Sequence, residues 1–250
     1  PSTVGALYLE AGPGATPVDG IRTVLESLAG EAALVVERLA ARQSHAARVR
    51  SQLAVRVARK SAQATDTSLS LAIRGRAACE LLTDLLTIGD LEGARAALEP
   101  FEDPEVRSLL PDGTRAEILK AIGIVMMWQG TWHRAAGLLN AALDGAVEGQ
   151  NVVLEMSIRA CLARCYAEIG EFSMARDHAM TAVSVLRRVD ETSIDYARAL
   201  LALGVLEQLE GDAMSAIHAF RLALRVAERT DDLLACASAH YRLGLLQAGR

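Results

Sequence analysis

From about Leu69 to the end of the chain, apolar residues recur three and four positions apart with polar residues between them. That is the pattern of helices with one buried face. The clearest stretch runs from Thr114 to Gly149, where two amphipathic helical patterns meet at Gln129-Gly130. Small residues fall where the two helices would cross. The same layout returns along the chain. Aligned on the glycine that breaks each pair, Gly89, Gly130, Gly170 and Gly211 stand 41, 40 and 41 residues apart. Ser61 to Ser70 is polar and turn-prone, which places a module boundary there.

The aligned positions carry a consistent chemistry. The first helices read Leu81-Leu82, Ile122-Gly123, Leu162-Ala163 and Leu203-Gly204 at the crossing, and a fifth begins with Leu243-Gly244. The second helices carry Ala94, Ala135, Ala175 and Ala216, followed four residues on by Leu98, Leu139, Ala179 and Phe220. Phe101, Ala142, Ala182 and Ala223 come next. Small residues let two helix axes approach, and a large residue one turn on fills the space beside them. Ala179 departs from that rule, and Leu82 stands where a glycine is expected. Each pair leaves an apolar face that only the next pair can cover, so the repeats are expected to stack.

These positions resemble tetratricopeptide (TPR) repeats, marked by Leu-Gly on the first helix and a small then a large residue on the second. The period exceeds the 34 residues of the standard repeat, a length similar to that of bacterial regulatory members. The resemblance implies an all-α fold, a right-handed α-α superhelix. Its expected organisation is a leader over residues 1–60, including a long connecting helix, then a solenoid over 61–250 of four helix pairs and a truncated fifth. Pro100, Pro104 and Pro111 fall between the first two pairs, where helices should stop.

The leader is read separately. Val4 to Glu10 is a short apolar run, followed by a turn-rich segment and a helical pattern from about Val18. With Leu25 to Arg42, it resembles the last strand and closing helix of a GAF-type sensor domain; the other reading is a loosely packed leader. Ala32, Val35, Leu39, Ala46, Val49 and Leu53 form a heptad-like seam interrupted by Arg42 and Arg56. Arg38, Arg42, Arg48, Arg50, Arg56, Arg59 and Lys60 make the segment basic, without the aromatics that stack on bases. The expectation is a solvated connecting helix, with self-pairing, nucleic-acid contact or an anionic surface as alternatives. The chain begins at Pro1 and stops in mid-repeat at Arg250, as a piece of a longer protein would.

Composition narrows the function. Apolar residues make up 51% of the chain but aromatics only 4%, so the core is aliphatic and alanine-rich. A net charge of −5 argues against nucleic acid as a partner. No apolar run is long enough for a membrane span, and no signal segment precedes the repeats. Cys79, Cys161, Cys165 and Cys236 lack metal-knuckle spacing, which suits reduced thiols in a cytoplasmic protein. Cys161 and Cys165 lie one helical turn apart but lack a second ligand pair. Gly12-Pro13-Gly14 lacks the rest of a phosphate loop, and the histidines are scattered. No catalytic constellation, metal site or cofactor is implied.

The candidate site is therefore a surface. In TPR arrays the first helix of each pair lines the concave face. Carried over residue by residue, the resemblance points to Cys79, Thr83, Leu86, Lys120, Ile124, Met127 and Trp128. In the later copies it points to Ala160, Arg164, Ala167, Leu201, Val205, Gln208, Tyr241 and Leu245. The asparagines of the chaperone-tail clamp are absent, with Thr83, Ile124 and Arg164 in their places. Lys120, Ile124, Met127, Trp128, Arg164, Leu201, Val205 and Tyr241 are the favoured partner-binding residues, with Trp128 as anchor. Ile124, Val205 and Leu245 could equally be core. The expected function is a non-catalytic protein- or peptide-interaction or sensor module of a bacterial signalling or transcription-regulatory protein. An amphipathic helix is the expected partner; small-molecule sensing and self-assembly into a homo-oligomer are the alternatives.

Overall fold

The computed structural model describes residues 47–248. The expected GAF-like strand, the helix after it and the seam as far as Ala46 lie outside the described residues. The chain divides into two compact units, Pro1–Val55 and Arg56–Arg250. Helix α1 spans residues 47–65, and its part from Arg56 onward belongs to the second unit. There Arg56 Nη2 and Lys60 Nζ reach the buried carboxylate of Asp84 at 2.7 and 3.1 Å. Two cations of the basic run are thus spent on a structural contact.

The second unit continues as α2 (Leu71–Ile88), α3 (Leu91–Leu98), α4 (Pro104–Ser108), α5 (Asp112–Trp128) and α6 (Trp132–Glu148). It is completed by α7 (Val152–Ile169), α8 (Phe172–Asp190), α9 (Ile194–Leu209), α10 (Ala213–Arg229) and α11 (Leu233–Ala248). The described residues contain no strand. Consecutive helices pack as hairpins, and the first helices α5, α7 and α9 also touch in turn. The second helix of the first pair is shorter than its counterparts. Pro100 follows α3, and Phe101 reaches the core from a 3-10 turn over Glu99–Phe101.

The repeat glycines have one shared conformation. Gly89, Gly130, Gly170 and Gly211 lie at φ of 79, 74, 93 and 89°, which glycine adopts without steric penalty. The next residue donates back across the turn each time: Asp90 N–H to Leu85 O, Thr131 to Met126, Glu171 to Tyr166 and Asp212 to Glu207, at 2.8–2.9 Å. This is the Schellman closure that satisfies the last carbonyls of a helix. Asp90 and Asp212 then cap the following helices through Gly93 and Ser215 N–H. The sequence period is a repeated turn.

Packing at the crossings explains the sequence departures. A Cβ on Gly123 would stand 2.9 Å from Leu139 Cγ, and one on Gly204 would stand 2.5 Å from Phe220 Cε1. Glycine on the first helix thus accommodates a large residue sixteen positions later. In the same register Ala163 stands opposite Ala179, and both are fully buried. The large residue and the glycine are lost together, so each partner contributes one methyl group at this crossing. Ala179 is a compensated swap.

Candidate partner-binding cavity

The first helices α2, α5, α7, α9 and α11 enclose a cavity of about 290 Å³. Helix α11 reaches α2 at the other end of the array, and Leu234 packs against the cluster built on Leu81, Leu82, Leu85 and Leu86. The concave face is therefore closed by its own last helix. Leu82, Leu86, Ile124, Leu201 and Val205 supply much of the apolar wall.

All eight favoured residues line this cavity: Lys120, Ile124, Met127 and Trp128 from α5, Arg164 from α7, Leu201 and Val205 from α9, and Tyr241 from α11. They come from four helices. Thr83, Leu86 and Ala160 join them, whereas Cys79, Ala167, Gln208 and Leu245 do not. Val205 and Met127 are buried, Ile124 and Leu201 half-buried. Trp128 and Tyr241 keep 47% and 65% of their surface exposed, so they form the rim. Leu245 is exposed, and Leu243 and Leu246 pack on the cluster of Val205, Ala216 and Phe220.

Charge in the lining is one-sided. Lys120, Arg164, Arg198 and Arg242 line the cavity, and no carboxylate does. Arg198 Nε donates to the buried Asp232 at 3.1 Å. Arg242 lies 3.7 Å from Glu168 and donates to Gln208 at 3.4 Å. Lys120 Nζ meets the Ser157 hydroxyl at 3.3 Å and has no ion pair among the described residues. Arg164 has no hydrogen bond or ion pair among the described residues, and its Nε is buried without a partner. Its guanidinium lies 5.9 Å from the centre of the Trp132 ring. Burial, then repulsion from Arg242, pushes Arg164 below its ordinary value, while Glu168 opposes the shift.

The thiols have a different character. Burial pushes Cys79 and Cys165 up to about 12, and Cys161 and Cys236 are raised by the same cause. They are held as neutral thiols, poor nucleophiles and poor metal ligands. Among the described residues no group of three or more His, Cys, Asp or Glu is arranged to hold a metal ion. Nor is any described helix long and apolar enough to cross a membrane.

Several lining residues escape the carried-over positions: Leu82, Ser157, Cys161, Arg198, Leu234 and Arg242 among them. Most lie one helical turn from a named residue or directly beside one. Ser157 precedes Cys161 and Arg164, and Arg198 precedes Leu201. A stripe drawn at helical period over the whole first helix finds them. Leu234 carries no such signal, because it enters the wall through the meeting of α11 with α2.

No protein-family model matches the chain, and no curated protein does. Solved structures do. BtubC (BKLC) from P. vanneervenii is 16% identical, with 79% of this chain and 91% of BtubC covered and a TM-score of 0.51. The apo form of RapI is 17% identical over 71% of this chain and 49% of its own, at a TM-score of 0.47. MamA 41-end from Desulfovibrio magneticus RS-1 is 16% identical over 70% of this chain and 96% of its own, at 0.38. At such identity the likeness to BtubC speaks to fold alone. The chain has the all-α, TPR-like solenoid fold.

Proposed function

We propose that this chain is a non-catalytic recognition module of a larger bacterial signalling or transcription-regulatory protein, and that it senses a compact ligand in the α2–α11 cavity. One observation carries the reading: eight side chains from four helices converge on a single cavity that α11 closes against α2. Its volume, about 290 Å³, lies at the small end of ligand sites, which run from about 300 Å³ upward. An apolar wall with a few convergent polar side chains is the make-up of a small-molecule site. A ligand bridging α2 and α11 would bind the closed array better than an opened one, which is the differential affinity a sensor requires.

A second reading has its own support. Trp128 and Tyr241 are large, exposed and adjacent to the cavity, the make-up of an anchor for a partner protein at the rim. Affinity capture with the chain and with Ser238→Trp separates the two. Ser238 is half-buried in the cavity wall on α11, so an indole there fills the space. Native mass spectrometry should find a small ligand on the parent and none on Ser238→Trp. Capture of the same protein by both variants, lost on Trp128→Ala, would favour the rim and overturn the cavity reading.

A further inference from the structure

We infer that the cavity is built for a small amphipathic carboxylate, its anionic end seated at Arg164 and its apolar body against Leu82, Leu86, Ile124, Leu201 and Val205. This rests on the reading of the cavity as the ligand site. Four cations and no carboxylate line the space. Two of the cations are already answered, Arg198 by Asp232 and Arg242 by Glu168. Lys120 and Arg164 have no ion pair among the described residues.

The surroundings single out Arg164. A neighbouring cavity of about 380 Å³ shares Thr83, Lys120, Ile124, Ser157 and Arg198 with the first and adds Glu80, Glu117 and Asp195. Lys120 thus stands at a border where acids gather. Arg164 stands away from them, with a buried Nε that no group satisfies. A buried donor without a partner is unfavourable, and one on a cation more so. A carboxylate in the cavity would accept from the Nη groups of Arg164, which no group in the described residues engages, and neutralise the guanidinium.

The rest of the wall sets the number of charges. Lys120 lies against Ser157 on α7, and Arg164 is seven residues further along that helix, about 10 Å at 1.5 Å per residue. The same wall holds Leu82, Leu86, Ile124, Ala160 and Leu201, which suits hydrocarbon and disfavours a second charge. A multiply charged phosphate ester is the wrong shape of charge for this space. A monocarboxylate with an aliphatic body is the right one.

Calorimetric titration of the whole chain with octanoate, octanol and N-acetyl-leucyl-leucine tests the inference. Octanoate should bind at least about tenfold more tightly than octanol, the difference one charge-assisted hydrogen bond makes. Arg164→Gln should remove that preference while leaving octanol unchanged, and Arg164→Lys should restore part of it. Equal binding of octanoate and octanol would overturn the carboxylate and leave the cavity reading standing. Binding of the peptide acid without octanoate would assign the site to a chain end instead of a free carboxylate, overturning the proposal. Failure of all three to bind would also overturn it, while ligand capture still decides the broader function. Should Arg164→Gln unfold, the octanoate-to-octanol ratio in the parent chain and its loss in Ser238→Trp remain decisive.

Discussion

Gly204→Ala probes the helix crossing on which the repeat geometry depends. The added Cβ would lie 2.5 Å from Phe220 Cε1, 2.7 Å from Cδ1 and 3.1 Å from Cζ. Carbon atoms rest about 3.5–4.0 Å apart, so the ring must retreat by about 1 Å. Phe220 is fully buried beside Val205 and Ala216, with Leu201, Leu243 and Leu246 packed around them. A close-packed interior has no slack for that movement. Overpacking of this kind costs about 1–3 kcal/mol, and the better helix propensity of alanine returns about 1 kcal/mol. The expected net loss is about 0–2 kcal/mol, at most a few degrees of melting temperature. Gly137→Ala on α6 is the control, since a Cβ there meets nothing within 4 Å. It should stabilise by about 1 kcal/mol. Phe220→Leu in the Gly204→Ala background should recover about 1 kcal/mol of coupling energy. Urea denaturation followed by circular dichroism measures these chains together with Phe220→Leu alone, which completes the cycle. Equal stabilisation by Gly204→Ala and Gly137→Ala would refute the tight crossing.

Other expectations follow from the same structure. Asp232 accepts from Arg198 Nε and from the Ala235 N–H at the start of α11; Asp232→Ala loses a cap and strands a cation, at about 3 kcal/mol in urea denaturation. His178, stacked on Tyr166, is held below 6.5 by burial and then by repulsion from Arg159. The folded state therefore binds fewer protons, so stability is intact above pH 6.5 and falls as pH drops below it towards the folded value. His178→Phe should keep the stacking and flatten that dependence in melts between neutral and acidic pH. Trp128→Ala should cost less than about 1 kcal/mol of stability, as befits an exposed side chain. If the rim anchors a partner, the same change should weaken the captured complex by about 2 kcal/mol.

The repeat turns were legible because one physical requirement leaves one residue: a left-handed position after the helix selects glycine, at Gly89, Gly130, Gly170 and Gly211 alike. Small residues at the crossings were legible for a similar reason. Pair complementarity was less so, since Ala179 reads as a defect until Ala163 is seen opposite it. The favoured cavity residues were found because the first helices keep a common face throughout. Leu234 was not, because it enters the wall where the ends of the array meet, and no local pattern encodes that closure. The unpaired state of Arg164 was also invisible, since it depends on which cation each acid chooses.

The central claim is that ligands enter the α2–α11 cavity, and the methionine methyl groups test it directly. Met127 lines the cavity, whereas Met174 and Met180 are exposed on α8 and outside it. With methyl-labelled methionine, titration of the chain with octanoate and with octanol can be followed at all six methionines by nuclear magnetic resonance. The account predicts that at least one of the two shifts the Met127 methyl resonance in a saturable way, with Met174 and Met180 unmoved. Saturable shifts at Met174 or Met180 with Met127 unchanged would contradict it.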